Sequence, residues 1–258
     1  MRFFKKAIAL AVMAVMVLSM APALATDAQD NPYGLVYAED QTLRRLYNVE
    51  ATTLCSFSAS GSANDWKAVS NCVEGLVTVD VYGNRIPGLA ESWDVNDEGD
   101  VYTVHLREGL QWVDVNGKEM GELTANDFVV VAEYICNPAN ASPNSTYFNE
   151  IIKGAKEYLA GETTDFETVG FKAVDDYTIE ITLEGPLPYF ISYCGSYLPA
   201  YAPLLEELGD QYGMDNEKMY YIGAYIMTTF EPEYRRVYEK NPNYYDADKV
   251  YIEKVIMT

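Results

Sequence analysis

Two stretches of this chain alternate apolar and polar side chains with a period of two, and a chain that carries them is committed to half-buried β-sheet. From Val101 to Leu106, Tyr102, Val104 and Leu106 point one way, while Thr103, His105 and Arg107 point the other. After Asp175-Asp176, Tyr177, Ile179, Ile181 and Leu183 form a core face, and Thr178, Glu180, Thr182 and Glu184 a wet one. Further strands are expected over Leu43 to Val49, Leu76 to Val81, Gly223 to Thr229, Tyr234 to Glu239 and Val250 to Met257, with Asn241-Pro242-Asn243 as a turn.

Helical spacing supplies the other half of an α/β reading. Asn64 can cap a helix that carries Trp66, Val69 and Val73 on one face. Thr124 with Asp127 three residues later resembles a capping box, opening a helix that buries Phe128, Val131, Ala132 and Ile135 and ends at Asn137-Pro138. A second helix is expected from Asn149 to Ala160, burying Ile151, Ile152, Ala155 and Leu159 and stopping at Gly161, and a short one over Pro203 to Leu208. The sequence stops directly after its last strand. A strand that pairs on both sides needs neighbours, so a truncated protein is expected; the alternative is a complete domain with a C-terminal edge strand.

The beginning of the chain reads as an export signal. Met1 to Lys6 is basic, Ala7 to Met20 is apolar apart from Ser19, and Ala23-Leu24-Ala25 has the A-x-A form, so cleavage after Ala25 is expected. The apolar run is short for a spanning helix. Residues 26–42 are expected to be a loose lead. Cleavage removes three cations and no acid, taking the formal net charge from -21 to -24. A field of that sign repels nucleic acid and anionic lipid and favours a soluble monomer.

An exported chain meets an oxidising compartment, where disulfides are allowed. Cys55, Cys72, Cys136 and Cys194 permit three connectivities, or four buried thiols. The favoured pairing is Cys55–Cys72 and Cys136–Cys194; the first closes a short loop, worth about 3 kcal/mol in the chain-entropy picture. A zinc site is not expected, because no C-x-x-C pair is present and the single histidine lies elsewhere.

The search for catalytic motifs gives little. His105 sits mid-strand in an alternating segment, which suits a structural histidine better than a member of a triad. No nucleophile elbow, Walker loop or dinucleotide fingerprint appears. A carboxylate pair for glycoside hydrolysis needs two acids, but in so acidic a chain two neighbouring acids are more often solvated surface. No catalytic residue and no cofactor is expected.

Several segments together resemble the oligopeptide-binding proteins of ABC importers, the bacterial extracellular solute-binding protein family 5. They are Glu74-Gly75-Leu76-Val77, Pro87 to Trp93, Tyr102 to Gly109 with Trp112, Leu123 to Phe128, Pro138 to Pro143, Val174 to Thr178, Pro188-Tyr189-Phe190, Gly223-Ala224-Tyr225 and Glu239 to Tyr245. Each is weak alone; the ordered set is specific.

The resemblance implies a type II periplasmic-binding-protein-like fold that closes on its ligand as a hinged clamp. On that pattern residues 43–74 and 201–258 form lobe I, residues 75–200 its small β-rich extra domain, and the second lobe is missing. It also implies a peptide ligand held by strand-like backbone pairing, an importer permease as partner, and a periplasmic or extracellular location. Carried over by position, the ligand-contacting residues are Ser60, Gly61 and Ser62, then Asn144 and Tyr147, then Ile222 and Gly223. The sequence departs from the family where Leu54-Cys55-Ser56 replaces Leu-Asp-Pro, where Asn144 replaces an aromatic and where Ile222 replaces an Asn. These departures bear on ligand class, since relatives also bind nickel chelates, haem or sugars. The competing readings are a secreted hydrolase acting on glycans or peptides, and a sensor on the same scaffold.

Overall fold

The computed structural model describes residues 37–58 and 63–258. In chain order its strands and helices begin β1 (Thr42–Arg45), α1 (Ala63–Val69), β2 (Val77–Val79), β3 (Arg85–Pro87), β4 (Ala90–Val95), β5 (Val101–Leu106), β6 (Gln111–Val113), β7 (Glu119–Glu122) and α2 (Asn126–Cys136). They continue α3 (Ala155–Leu159), β8 (Phe171–Asp175), β9 (Thr178–Thr182), α4 (Ala202–Leu208), β10 (Tyr225–Glu231), β11 (Arg235–Lys240) and β12 (Lys254–Met257).

The two alternating stretches find each other. β5 and β9 pair antiparallel, with Tyr102 opposite Ile181 and Val104 opposite Ile179. They are the inner strands of a four-stranded sheet ordered β4-β5-β9-β8. Tyr102, Val104, Leu106, Ile179, Ile181 and Leu183 are all buried, as a period-two pattern with one wet face requires. His105 stays on the other face, partly exposed and 3.2 Å from Asp94 Oδ2.

A second four-stranded sheet is ordered β1-β12-β11-β10 and draws on segments more than two hundred residues apart in the 258-residue chain. β1 runs parallel to β12, with Leu43 opposite Val255, and β12 runs antiparallel to β11. The last strand is therefore an inner strand of this sheet and not an edge. β1 begins at Thr42, inside the stretch expected to be loose, and ends at Arg45 where a strand to Val49 was expected. The reason lies at Glu50. Its carboxylate accepts from Ala51 N, Tyr47 Oη, Glu233 N and the buried guanidinium of Arg236, and so turns the chain out of the sheet. The Arg236 guanidinium also stacks over the Tyr47 ring at 4.4 Å. Residues 41–258 form one compact unit; of residues 1–40 only Tyr37–Asp40 are described. The expected signal segment, 1–25, lies outside the described residues.

The start of α2 is built around Asp127, which is 2% exposed. Its carboxylate accepts from Thr124 N at 3.0 Å, Trp112 Nε1 at 3.0 Å and Ala202 N at 2.8 Å. One arm of the expected capping box thus forms, and the same acid also reaches β6 and the start of α4. α1 starts at Ala63, which puts Asn64 inside the first turn and not at the cap. The buried carboxylate of Asp65 in that turn accepts from both the N–H and the hydroxyl of Thr52.

Two expectations are corrected. The helix expected from Asn149 shortens to α3, because Lys153 N and Glu184 N spend their hydrogen bonds across to Thr182 O and Ile151 O, tying this stretch to the end of β9. Gly154 then adopts φ +72°, and its carbonyl-facing side has no room for a Cβ against Thr168. The expected disulfides are absent: Cys55, Cys72, Cys136 and Cys194 are all free and buried. Each thiol is packed into its own surroundings, Cys72 against Ala68 O and Cys194 against Phe190 O. Burial pushes the Cys55 thiol up to about 11 and Cys72 and Cys136 to about 12, so all are protonated at neutral pH. Among the described residues no helix is long and apolar enough to cross a membrane.

Two predictions follow from this packing. Asp127→Ala leaves three buried donors without an acceptor and lowers unfolding stability by about 3 kcal/mol in urea, whereas Trp112→Phe removes one of the three and costs about 1 kcal/mol; equal effects would show that the carboxylate is not shared. Ellman's reagent should find four thiols in denaturant without reductant and essentially none in the native protein over minutes; a denatured count of two or none would restore a disulfide.

Candidate functional site

Ser60, Gly61 and Ser62 lie outside the described residues. Asn144 and Tyr147 are described, on the 3-10 turn Pro143–Tyr147. The hydroxyl of Ser142 accepts from Asn144 N and donates to Phe57 O at 2.7 Å, while Asn144 Nδ2 donates to Ser56 O at 2.9 Å. The turn is thereby fastened to Ser56–Phe57, the segment that leads into Ser60. Asn144 is buried and its side-chain amide is used within the chain; the carbonyl of the half-buried Tyr147 accepts from Tyr197 Oη.

Alongside lies a cleft of ≈ 270 Å³ whose walls include Cys55, Ser58, Tyr134, Asp210 and Tyr212. Tyr134 meets the Phe57 ring edge-on at 4.9 Å, and the Ser58 hydroxyl donates to Tyr134 Oη. Sequence spacing gave no sign that Tyr134, on the polar side of α2, would reach this loop.

Ile222 and Gly223 enter β10 from the other direction. Their two N–H groups both donate to Cys72 O, at 3.1 and 2.9 Å, and Tyr225 N donates to Asn71 O. The carbonyl of Gly223 accepts from Asn241 Nδ2 at 3.0 Å. A Cβ on Gly223 would stand 2.7 Å from Asn71 O and 2.8 Å from Cys72 C, so only glycine permits this backbone contact. Both N–H groups are thus occupied inside the chain, and what Gly223 lends to its surroundings is shape. It lines a cleft of ≈ 260 Å³ together with Trp66, Asn71, Glu74, Thr78 and Tyr244. Leu198 borders both this cleft and the narrow crevice at Asn144 and Tyr147, so the described candidates fall on two sides of one buried leucine.

Glu74 brings a carboxylate to the Gly223 cleft. Its carboxylate accepts from Tyr244 Oη at 3.0 Å. Burial raises its pKa, while Tyr244, Tyr245 and the Arg107 charge pull the other way. Arg107 stacks over the Tyr245 ring at 4.6 Å and donates from Nε to Gly88 O. Burial and the Glu74 charge push the Tyr245 phenol up to about 12. Glu74 and Tyr244 belong to segments that mark the family resemblance, but nothing in their spacing says that they touch. Among the described residues no cluster of three or more His, Cys, Asp or Glu is placed to hold a metal ion.

Comparison with known proteins gives a consistent picture. Residues 84–258 match the bacterial extracellular solute-binding proteins, family 5, middle region. The chain is 35% identical over 222 residues to the oligopeptide-binding protein AliB of Streptococcus pneumoniae, covering 84% of this chain and 33% of that protein. It is 30% identical over 257 residues to the oligopeptide-binding protein SarA of Streptococcus gordonii, covering 98% of this chain and 38% of that one. The fold is similar to Listeria monocytogenes OppA bound to peptide, with TM-score 0.79 and 28% identity, over 86% of this chain and 43% of that structure. The chain thus spans well under half the length of these relatives.

The geometry makes two further predictions. Gly223→Ala forces β10 away from the end of α1 and should cost about 2 kcal/mol in urea unfolding, with no cost only if the close approach at Asn71 is absent. Glu74 has a raised folded-state pKa, so its ionisation weakens the fold as pH rises from the unfolded carboxylate range through that pKa. Glu74→Gln keeps an acceptor for Tyr244 and removes the charge. The melting temperature of the variant should exceed that of the parent by a few degrees at pH 7 and match it near pH 4, and a gap independent of pH would refute the assignment.

Proposed function

The chain belongs to the bacterial extracellular solute-binding proteins of family 5, and from that membership we propose that it forms the first lobe of a peptide-binding protein that delivers its ligand to an ABC importer. The observation that supports this most directly is the ordered match to oligopeptide-binding relatives along nearly the whole chain. The family is one of substrate-binding proteins, and its known members work outside the cytoplasm or in the periplasm. A cleaved signal over residues 1–25 would send this chain to the same place, and its strong negative charge would keep it a monomer there.

In this reading residues 43–74 and 201–258 are lobe I and residues 75–200 its extra β-rich domain. The separation of the two four-stranded sheets, one from 42–45 with 225–257 and one within 90–182, favours that division. Ser60, Gly61 and Ser62 would meet the ligand backbone, and Asn144 and Tyr147 would border it, with Asn144 fastened to Ser56. Ile222 and Gly223 would shape the second wall. Because the N–H groups of Ile222 and Gly223 are occupied by Cys72, pairing to an extended ligand would fall to residues 60–62 and to the opposite lobe. The permease of the importer would receive the loaded protein.

Titration calorimetry with a pool of di- to pentapeptides tests the proposal on a form extended to the length of its relatives. Saturable binding with Kd on the order of 1 μM or tighter is expected, and binding at least about tenfold weaker by the 258-residue chain alone, which offers one side of the clamp. A folded extended form that gives no heat, or that hydrolyses the peptides, would overturn it.

A further inference from the structure

A hollow of ≈ 450 Å³ lies between one face of the sheet β1-β12-β11-β10 and α1, and meets the Gly223 cleft at Ser70 and Asn71. The register puts Leu43 opposite Val255 and Arg45 opposite Met257, so these four side chains share that face. Arg236 pairs across to Met257 and joins them. Lys67 closes the hollow from α1.

Its charge runs against the composition of the chain. Acids outnumber bases 39 to 18, yet the hollow is lined by Arg45, Lys67 and Arg236 and, among the described residues, by no carboxylate. Glu50 reaches one Nη of Arg236, but its two oxygens already accept from Ala51 N, Tyr47 Oη and Glu233 N. Arg236 is 1% exposed, and its Nε–H has no acceptor among the described residues. Among the described residues the side chains of Arg45 and Lys67 make no ion pair there either. A buried guanidinium with a spare donor, two cations with no ion pair among the described residues and an apolar floor together define a receptor for one kind of group.

We infer that this hollow binds an organic carboxylate carried on an apolar body, with its head at Arg45, Lys67 and Arg236 and its tail on Leu43, Val255 and Met257. A peptide ending in an apolar residue and a free aliphatic acid both present that chemistry. The apolar floor disfavours inorganic anions, which have nothing to place on it.

Calorimetry on the whole chain at low salt, with hexanoate and N-acetyl-leucine as acids and hexan-1-ol and N-acetyl-leucinamide as neutral matches, is the test. The acids should bind at least about tenfold tighter than their neutral matches, and more weakly as salt rises. Tighter binding of N-acetyl-leucine than hexanoate identifies a peptide end as the natural occupant, and the reverse order identifies an aliphatic acid. Removing Arg236 endangers the fold, so the variant is Arg45→Gln with Lys67→Gln, both at exposed positions; it should lose about tenfold in affinity for the acids. Equal binding of acids and neutral matches, no binding of the acids, or an unaffected double variant would each overturn the inference. Peptide capture by the extended form is read separately: if that persists while the acids fail, this site falls and the proposed function stands.

Discussion

The Asp127 carboxylate accepts hydrogen bonds from Thr124, Trp112 and Ala202, and so gives three segments distant in sequence a common acceptor deep in the protein. Burial alone raises its pKa; the three donors oppose that rise and make an ion tolerable where it would otherwise be expelled. The consequence travels outward. Fixing Trp112 fixes Val113, whose N–H and C=O exchange hydrogen bonds with Tyr221. Tyr221 is followed directly by Ile222 and Gly223, which close on Cys72. The wall of the Gly223 cleft is thus the end of a chain of backbone and side-chain bonds that begins at one buried acid.

That wall is made by backbone meeting backbone. Gly223 stacks on Asn71 and Cys72, Gly75 on the carbonyl of Gly195, and Gly88 on the carbonyl of Gly75. In each case a Cβ would fall within about 2.7 Å of a main-chain oxygen, closer than real contacts allow. Such a wall cannot shift in small steps, because each close approach is backbone against backbone. It also uses the main-chain donors of Ile222 and Gly223, so what this wall offers the cleft is contour and the side chains of Trp66, Asn71 and Glu74.

The strands were legible because a period of two admits one reading when one face is buried, and β5 with β9 shows it in both partners. α2 was legible because Asp127 and Pro138 bracket a run of apolar residues at helical spacing. The stretch after Asn149 misled because its apolar residues fit a helix, while its backbone bonds go to the end of β9 and the residues just past it, about thirty residues away. Local periodicity carries no information about such a competitor. The cysteines misled for a related reason: compartment and spacing permit disulfides, but only the packing places each thiol in its own part of the core. Of the candidate site, the sequence located residues that surround Leu198 but not the contacts of Glu74 with Tyr244 or of Phe57 with Tyr134, since these join segments that no pattern links.

Two acids beside α1 show how so negative a chain keeps its interior neutral. Glu50 precedes the helix and holds Arg236, whose guanidinium lies on the Tyr47 ring. Glu74 follows the helix and feels the charge of Arg107, whose guanidinium lies on the Tyr245 ring. In both, a carboxylate, an arginine and a tyrosine face form one unit, and the planar cation gains from the ring what it loses in hydration. Surface charges in this chain are screened by salt over about 8 Å at physiological strength. The Glu50 unit ties the chain before α1 to β11, and the Glu74 unit lies where the chain after α1 meets the residue that follows β5. The Glu50 unit differs in one respect that matters: its arginine still has a donor to spare among the described residues, and that arginine lines the hollow together with Tyr47.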